Sequence, residues 1–295
     1  LGAHLRRVPD GETGERANWI AWQIIKLAQN SAVEGRGAAV LGRLLDAYAR
    51  SRLVRSFMNH IAAPVMMRAR ERGGYRLLRL RPGARSEDIH IGPLGYAAAA
   101  EASYALFARL KREGVLAPHL RFQVSLPTPL APIDSFSPEE MATLLPVYEA
   151  QMLEEVDMIT RAIPHEELAI QWDTAVEFAL LEGVWHSPFG TPAASRGPII
   201  DMLVRIANHV PPGVELGFHL CYGDAGGRHF KEPADSSKLA DIAGAVLSRL
   251  ARPVTWIHFP VPRSRADEAY FAPLRGLALP EETELYAGLV HLDEE

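Results

Sequence analysis

The sequence predicts an α/β fold, a (β/α)8 TIM barrel in a single domain, and three observations predict it. Short alternating runs recur between longer helical ones. Each strand run has one apolar and one polar face, and the polar residues collect toward the strands' C-terminal ends. The 295 residues are 48% hydrophobic and 23% charged, enough apolar material for a large core. Barrels of this kind reach such a length as one domain, and no linker rich in Pro, Gly and Ser divides the chain.

In chain order, strands are expected at His4–Val8, Ile89–Gly92, Leu120–Leu126, Leu168–Asp173, Val214–Cys221, Val254–Phe259 and Leu285–Leu292. The segment 35–88 reads as a helical insertion: Leu41, Leu44, Leu45 and Tyr48 share one side of helices between Gly35 and Met67, ahead of a short run Tyr75–Leu80. Seven strands are visible where a barrel needs eight, so the Tyr75 run or a segment beyond either end supplies the last. A helix opens at Ser137, where Ser-Pro-Glu-Glu gives a cap, a first-turn Pro and a capping-box Glu140. Met141, Leu145, Tyr148, Met152, Val156, Ile159 and Ile163 then line one face. Gly183–Gly197, with Pro188 and Pro192, reads as a loop. The next helix carries Ile199, Leu203, Ile206 and Val210, and a later one is capped by Asp235 or Ser236 before Leu239, Ile242, Val246 and Leu250.

A sheet covered by helices on both sides needs strands apolar on both faces. Here Phe122, Val124 and Leu126 oppose Arg121, Gln123 and Ser125; Leu168, Ile170 and Trp172 oppose Ala169, Gln171 and Asp173; Leu216, Phe218 and Leu220 oppose Gly217, His219 and Cys221. The late polar set, Asp10, His90, Ser125, Asp173, His219, Cys221, His258 and His291, is the layout of a barrel mouth. A doubly wound sheet lacks support, because no Gly-x-Gly-x-x-Gly follows a strand and Gly11-Glu-Thr-Gly14 has neither the length nor the Lys of a phosphate loop.

The net charge of −5, from 36 acidic and 31 scattered basic residues, argues against nucleic acid as a partner. The lone Cys221 excludes an internal disulfide. With no signal peptide and no apolar run of membrane-spanning length, no membrane association is expected and the cytoplasm is the expected location. Leu1 and the closing Asp293-Glu-Glu295, after a strand-like run, read as the ends of a piece of a longer chain.

His219 and Cys221, two apart on one strand, project to the same side and can grip one ion; the bland reading is a buried Cys beside a hydrogen-bonded His. The next strand ends in Trp256-Ile-His258, which brings His258 to the same mouth. Two His and one Cys leave one position open on a tetrahedral zinc ion, as a catalytic site does.

Phe218-His-Leu-Cys-Tyr222 resembles the zinc strand of the cobalamin-independent methionine synthase family, within the uroporphyrinogen decarboxylase/methionine synthase-like barrel superfamily. Asp10-Gly-Glu-x-x-x-Arg16 resembles that family's Gly-Glu segment near the amino-acid substrate. Leu126-Pro-Thr-Pro129 resembles its strand ending in a Gly-Pro turn, and Ile170-Gln-Trp-Asp173 its Gln-x-Asp strand. These motifs fall in the family's order across nearly the whole chain. Two positions depart from the pattern: His258 stands where the family has a Glu ligand, and no second Cys precedes Glu295, which places the fourth ligand past the end or hands it to His291. The resemblance implies a zinc-dependent methyl or alkyl transferase with a small-molecule thiol as acceptor and a folate-type methyl donor. His219, Cys221 and His258 would hold the metal. Asp10, Glu12, Arg16, Ser125, Gln171, Asp173 and Tyr222 would bind substrate, with Asp173 and Glu12 as the catalytic carboxylates orienting a cationic amino group.

Other readings stand beside these. Asp173 also reads as a cap of the next helix, and Glu12 and Arg16 as an ion pair at a helix start. A metal-free decarboxylase-like barrel enzyme would not need the His219–Cys221 pairing. A metal-dependent hydrolase would use His-rich strand ends, although this chain lacks a first-strand His-x-His.

Overall fold

The computed structural model describes residues 5–13, 16, 19–35, 43, 47, 51, 76–223 and 229–289. Its strands are β1 (Arg7–Pro9), β2 (Val33–Gly35), β3 (Leu78–Leu80), β4 (Arg121–Pro127), β5 (Leu168–Thr174), β6 (Glu215–Leu220), β7 (Trp256–Pro260) and β8 (Glu284–Gly288). Six of them form one parallel sheet in the order β1-β4-β5-β6-β7-β8. Adding each strand beside its predecessor lets the twist accumulate in one direction, and the sheet curls into a half-barrel.

The period-two pattern dictates this placement. Phe122, Val124, Leu126, Leu168, Ile170, Trp172, Leu216, Phe218 and Leu220 are all buried, on the face that packs on helices. Arg121, Gln123, Ser125, Gln171, Asp173 and His219 turn to the concave face and are only partly buried. The covering helices include α1 (Trp19–Ala28), α2 (Tyr96–Arg112), α3 (Leu130–Ile133), α4 (Pro138–Ala162), α5 (Val176–Leu181), α6 (Pro192–His209), α7 (Ser237–Leu247) and α8 (Glu268–Phe271). Helix α4 starts with the expected capping box: the Ser137 hydroxyl accepts from the Glu140 N–H at 3.2 Å and the Glu140 carboxylate accepts from the Ser137 N–H at 2.8 Å. Its predicted stripe from Met141 to Ile159 is buried, as is Ile163 at the helix end. No described helix is long and apolar enough to cross a membrane.

Several boundaries differ from expectation. Ile89–Gly92 is not a strand: the Asn30 side-chain amide donates to the His90 carbonyl at 2.8 Å, and Pro93 has no N–H for a ladder. His90 is therefore exposed and belongs to no strand. The Tyr75–Leu80 run yields β3, which pairs antiparallel with β2 in a separate ribbon and adds nothing to the curled sheet. The last part of the expected Gly183–Gly197 loop, from Pro192 on, is helix, because Thr191 caps Ala194 N at 3.3 Å and Pro192 occupies the first turn, where its missing N–H costs nothing. At α7, Asp235 accepts from Ser237 N at 2.8 Å, while the Ser236 hydroxyl donates to the Tyr270 carbonyl. The helices expected between Gly35 and Met67, and His291, lie outside the described residues apart from single positions.

The N-terminal end of the half-barrel is closed by charge. Arg7, its side chain 7% exposed, donates to Glu215 at 2.6 Å and to Glu284 at 3.2 Å, and Arg121 pairs with Glu215 at 3.0 Å. The Arg7 guanidinium stacks 4.1 Å from the centroid of the Trp256 ring. With that end filled, the concave face opens at the strands' C-terminal ends.

Candidate functional site at the strand ends

Register sorts the concave face into two rows. In the deeper row Ser125, Gln171, Gly217 and Trp256 are successive neighbours. Trp256 lies across Gly217, where an added Cβ would sit 1.9 Å from the indole, so only Gly fits. The indole N–H donates to Gln171 Oε1 at 3.0 Å. Because that group is a donor only, it fixes which way the amide faces, and Gln171 Nε2 then donates to Asp173 Oδ1 at 2.8 Å.

The outer row runs Pro127, Asp173, His219, His258 and Tyr286. His219 and His258 stack with centroids 4.6 Å apart, and their Nδ1 atoms are 2.7 Å apart, so one ring donates and the other accepts. Burial pushes His219 down to about 3, with His258 adding to the shift, and burial also lowers His258. Both imidazoles are thus neutral near pH 7, the form that ligates a metal. Cys221 follows just past β6 on the same face, its Sγ accepting from the Gly223 N–H at 3.1 Å. The donor set fits zinc in kind: two neutral imidazoles and a thiol. Among the described residues, no three His, Cys, Asp or Glu side chains converge into a ligand group.

Beside this row lies a small cleft, open to solvent. Asp10, Glu12, Arg16, Ser125 and Asp173 line it together with Trp19, Trp22, Tyr96, Val124 and Pro127. Five sequence-predicted residues from three separate segments therefore meet. Arg16 pairs with Asp10, at 2.7 and 3.3 Å, rather than with Glu12 as a helix-start pair would require. Burial, reinforced by Asp10 and opposed by Arg16, raises Glu12 to about 7. Burial also raises Asp173 to about 7, opposed by Gln171 and reinforced by Glu12. Two partly desolvated carboxyls facing one space favour a bound cation. Asp173 does not cap α5, whose N-cap Ala175 has no side-chain bond. Glu12 is the only described non-Gly residue at positive φ, +43°, a strained backbone that points its side chain into the site.

Two predicted positions stand apart from the cavity wall. Gln171 touches Asp173 instead of lining the space, and Tyr222 is buried against Phe178 and Phe230 with its hydroxyl donating to Glu182 at 3.1 Å. The sequence reading missed Trp19, Trp22 and Tyr96, which sit on helices, and Trp256, whose place beside His258 in the alternation was the available signal.

No family model, curated protein or solved structure matches this chain.

Proposed function

We propose that the protein is a zinc-dependent methyl or alkyl transferase acting on a small-molecule thiol, as its resemblance to cobalamin-independent methionine synthases implies. In this reading the six strands of the half-barrel belong to a closed (β/α)8 barrel. What supports the proposal is the contact of His219 with His258 at the strand ends, with Cys221 two residues past His219 and the Glu12–Asp173 cavity beside them.

His219, His258 and Cys221 would hold the ion. A zinc ion held there would supply the charge that favours the thiolate form of a substrate thiol at neutral pH. The chain's own groups do the rest. Asp173, its orientation fixed through Gln171 and Trp256, and Glu12 hold a cationic group of the substrate. Arg16 neutralises Asp10, so that third carboxylate does not compete. The filled N-terminal end keeps solvent to one side.

The test is methylation of a panel of thiols by folate and other methyl donors, with and without a chelator, for the native chain and Asp173→Asn. The account predicts chelator-sensitive S-methylation that falls at least a hundredfold in the variant. Chelator-resistant turnover would overturn the zinc role.

A further inference from the structure

The aromatic wall of the cavity has no part in holding a metal or activating a thiol. Trp22 and Tyr96 meet edge to face, with centroids 5.4 Å apart and ring planes at 89°, so they form two sides of a corner. Trp19 lies one turn before Trp22 on α1 and lines the same space. The carboxyls of Glu12 and Asp173 line it too. Among the described residues neither forms an ion pair, since Arg16 is engaged by Asp10.

Tyr96 brings a polar atom to this wall. The residue is 7% exposed, and its hydroxyl lies against that of Tyr148, which donates to Gln23 at 3.1 Å. A hydroxyl that donates to Tyr148 keeps its own oxygen as an acceptor. Aromatic faces accept few hydrogen bonds but attract cations. A primary ammonium, which needs three acceptors, gains less from them than a cation clad in methyl groups. The polarised C–H bonds of such a cation can also meet the Tyr96 oxygen. The Trp22 ring already draws a cation, with the Lys26 ammonium 5.1 Å from its centroid.

We propose that this cavity receives a methylated onium group, a quaternary ammonium or a tertiary sulfonium. Resting on the transferase reading, that onium is the methyl donor. The thiolate electron pair forms the new S–CH3 bond while the breaking C–N or C–S pair leaves with the donor. Anion and cation give two neutral products, a methyl thioether and a tertiary amine or second thioether, and no oxidant or reductant is needed.

The test is calorimetric titration of the purified chain with choline, with trimethylsulfonium and with 3,3-dimethylbutan-1-ol, the neutral isostere of choline, with zinc measured on the same sample. Both cations should bind, and the neutral isostere should bind at least tenfold more weakly. Trp22→Phe should retain binding and Trp22→Leu should lose at least tenfold, with Trp19→Leu as a second variant should the first fail to fold. Equal affinity for the neutral isostere, or no binding of either cation, overturns the inference. Onium binding in a protein that never holds zinc supports the cavity assignment and overturns the transferase reading alone.

Discussion

Replacing Glu177 by Gln should change how stability depends on pH, and the structure sets the size of the effect. Glu177 is completely buried on α5, four residues past Asp173. Its Oε1 accepts a short hydrogen bond from Thr128, in the turn that leaves β4, while Oε2 has no partner of normal geometry. Burial raises its carboxyl from 4.5 to about 7, against the pull of the Thr128 hydroxyl. At 1.36 kcal/mol per pH unit, that rise corresponds to about 3 kcal/mol. The folded state holds this proton more tightly than the unfolded state does. Below pH about 4.5 both are protonated and the group is neutral in its effect. Between about 4.5 and 7 the unfolded state ionises first and stability falls, and above about 7 the loss is complete.

Gln cannot ionise. Its unpartnered amide carries a fixed cost at every pH, but the difference between variant and native chain should move in favour of Glu177→Gln by about 3 kcal/mol from pH 4.5 to pH 8. Urea unfolding of both proteins at pH 4.5, 6 and 8 measures this. A difference constant across that range would refute the reasoning, because it would mean Glu177 ionises in the fold as readily as in the unfolded chain.

Two further substitutions test the architecture that supports the site. Gly217→Ala places a methyl group 1.9 Å from the Trp256 indole and must displace it, so thermal unfolding should show a loss of about 1–3 kcal/mol or more, with a shifted tryptophan emission. An unchanged Tm would contradict the stacking. Ser137→Ala removes one half of the capping box of α4 and should cost about 1 kcal/mol in urea unfolding with no change in metal content.

The sheet was legible because burial on one face imposes a period of two. Phe122, Val124 and Leu126 or Leu168, Ile170 and Trp172 announce both the strand and the direction of its polar partners. Five of the expected substrate residues meet around one cavity for the same reason: they lie at strand ends or on the loop after β1. Local pattern fails where a distant group satisfies the backbone. Ile89–Gly92 alternates like a strand, yet Asn30, sixty residues away, takes its carbonyl. The Thr191–Pro192 start of α6 was hidden by small residues and Pro that suit a loop equally well. The aromatic corner of Trp22 and Tyr96 joins two helices far apart in sequence, and each residue alone reads as core. The lock from Trp256 through Gln171 to Asp173 depends on strand register, which no single strand encodes.

The central claim is that His219, Cys221 and His258 hold a catalytic zinc ion. Elemental analysis of the native chain, Cys221→Ala and His258→Ala tests it most directly. The account predicts close to one zinc per native chain and a loss of most of it in both variants while the fold, followed by circular dichroism, persists. Zinc retained at the native level in both variants, or a well-folded native chain that takes up none from zinc-supplemented buffer, would contradict it.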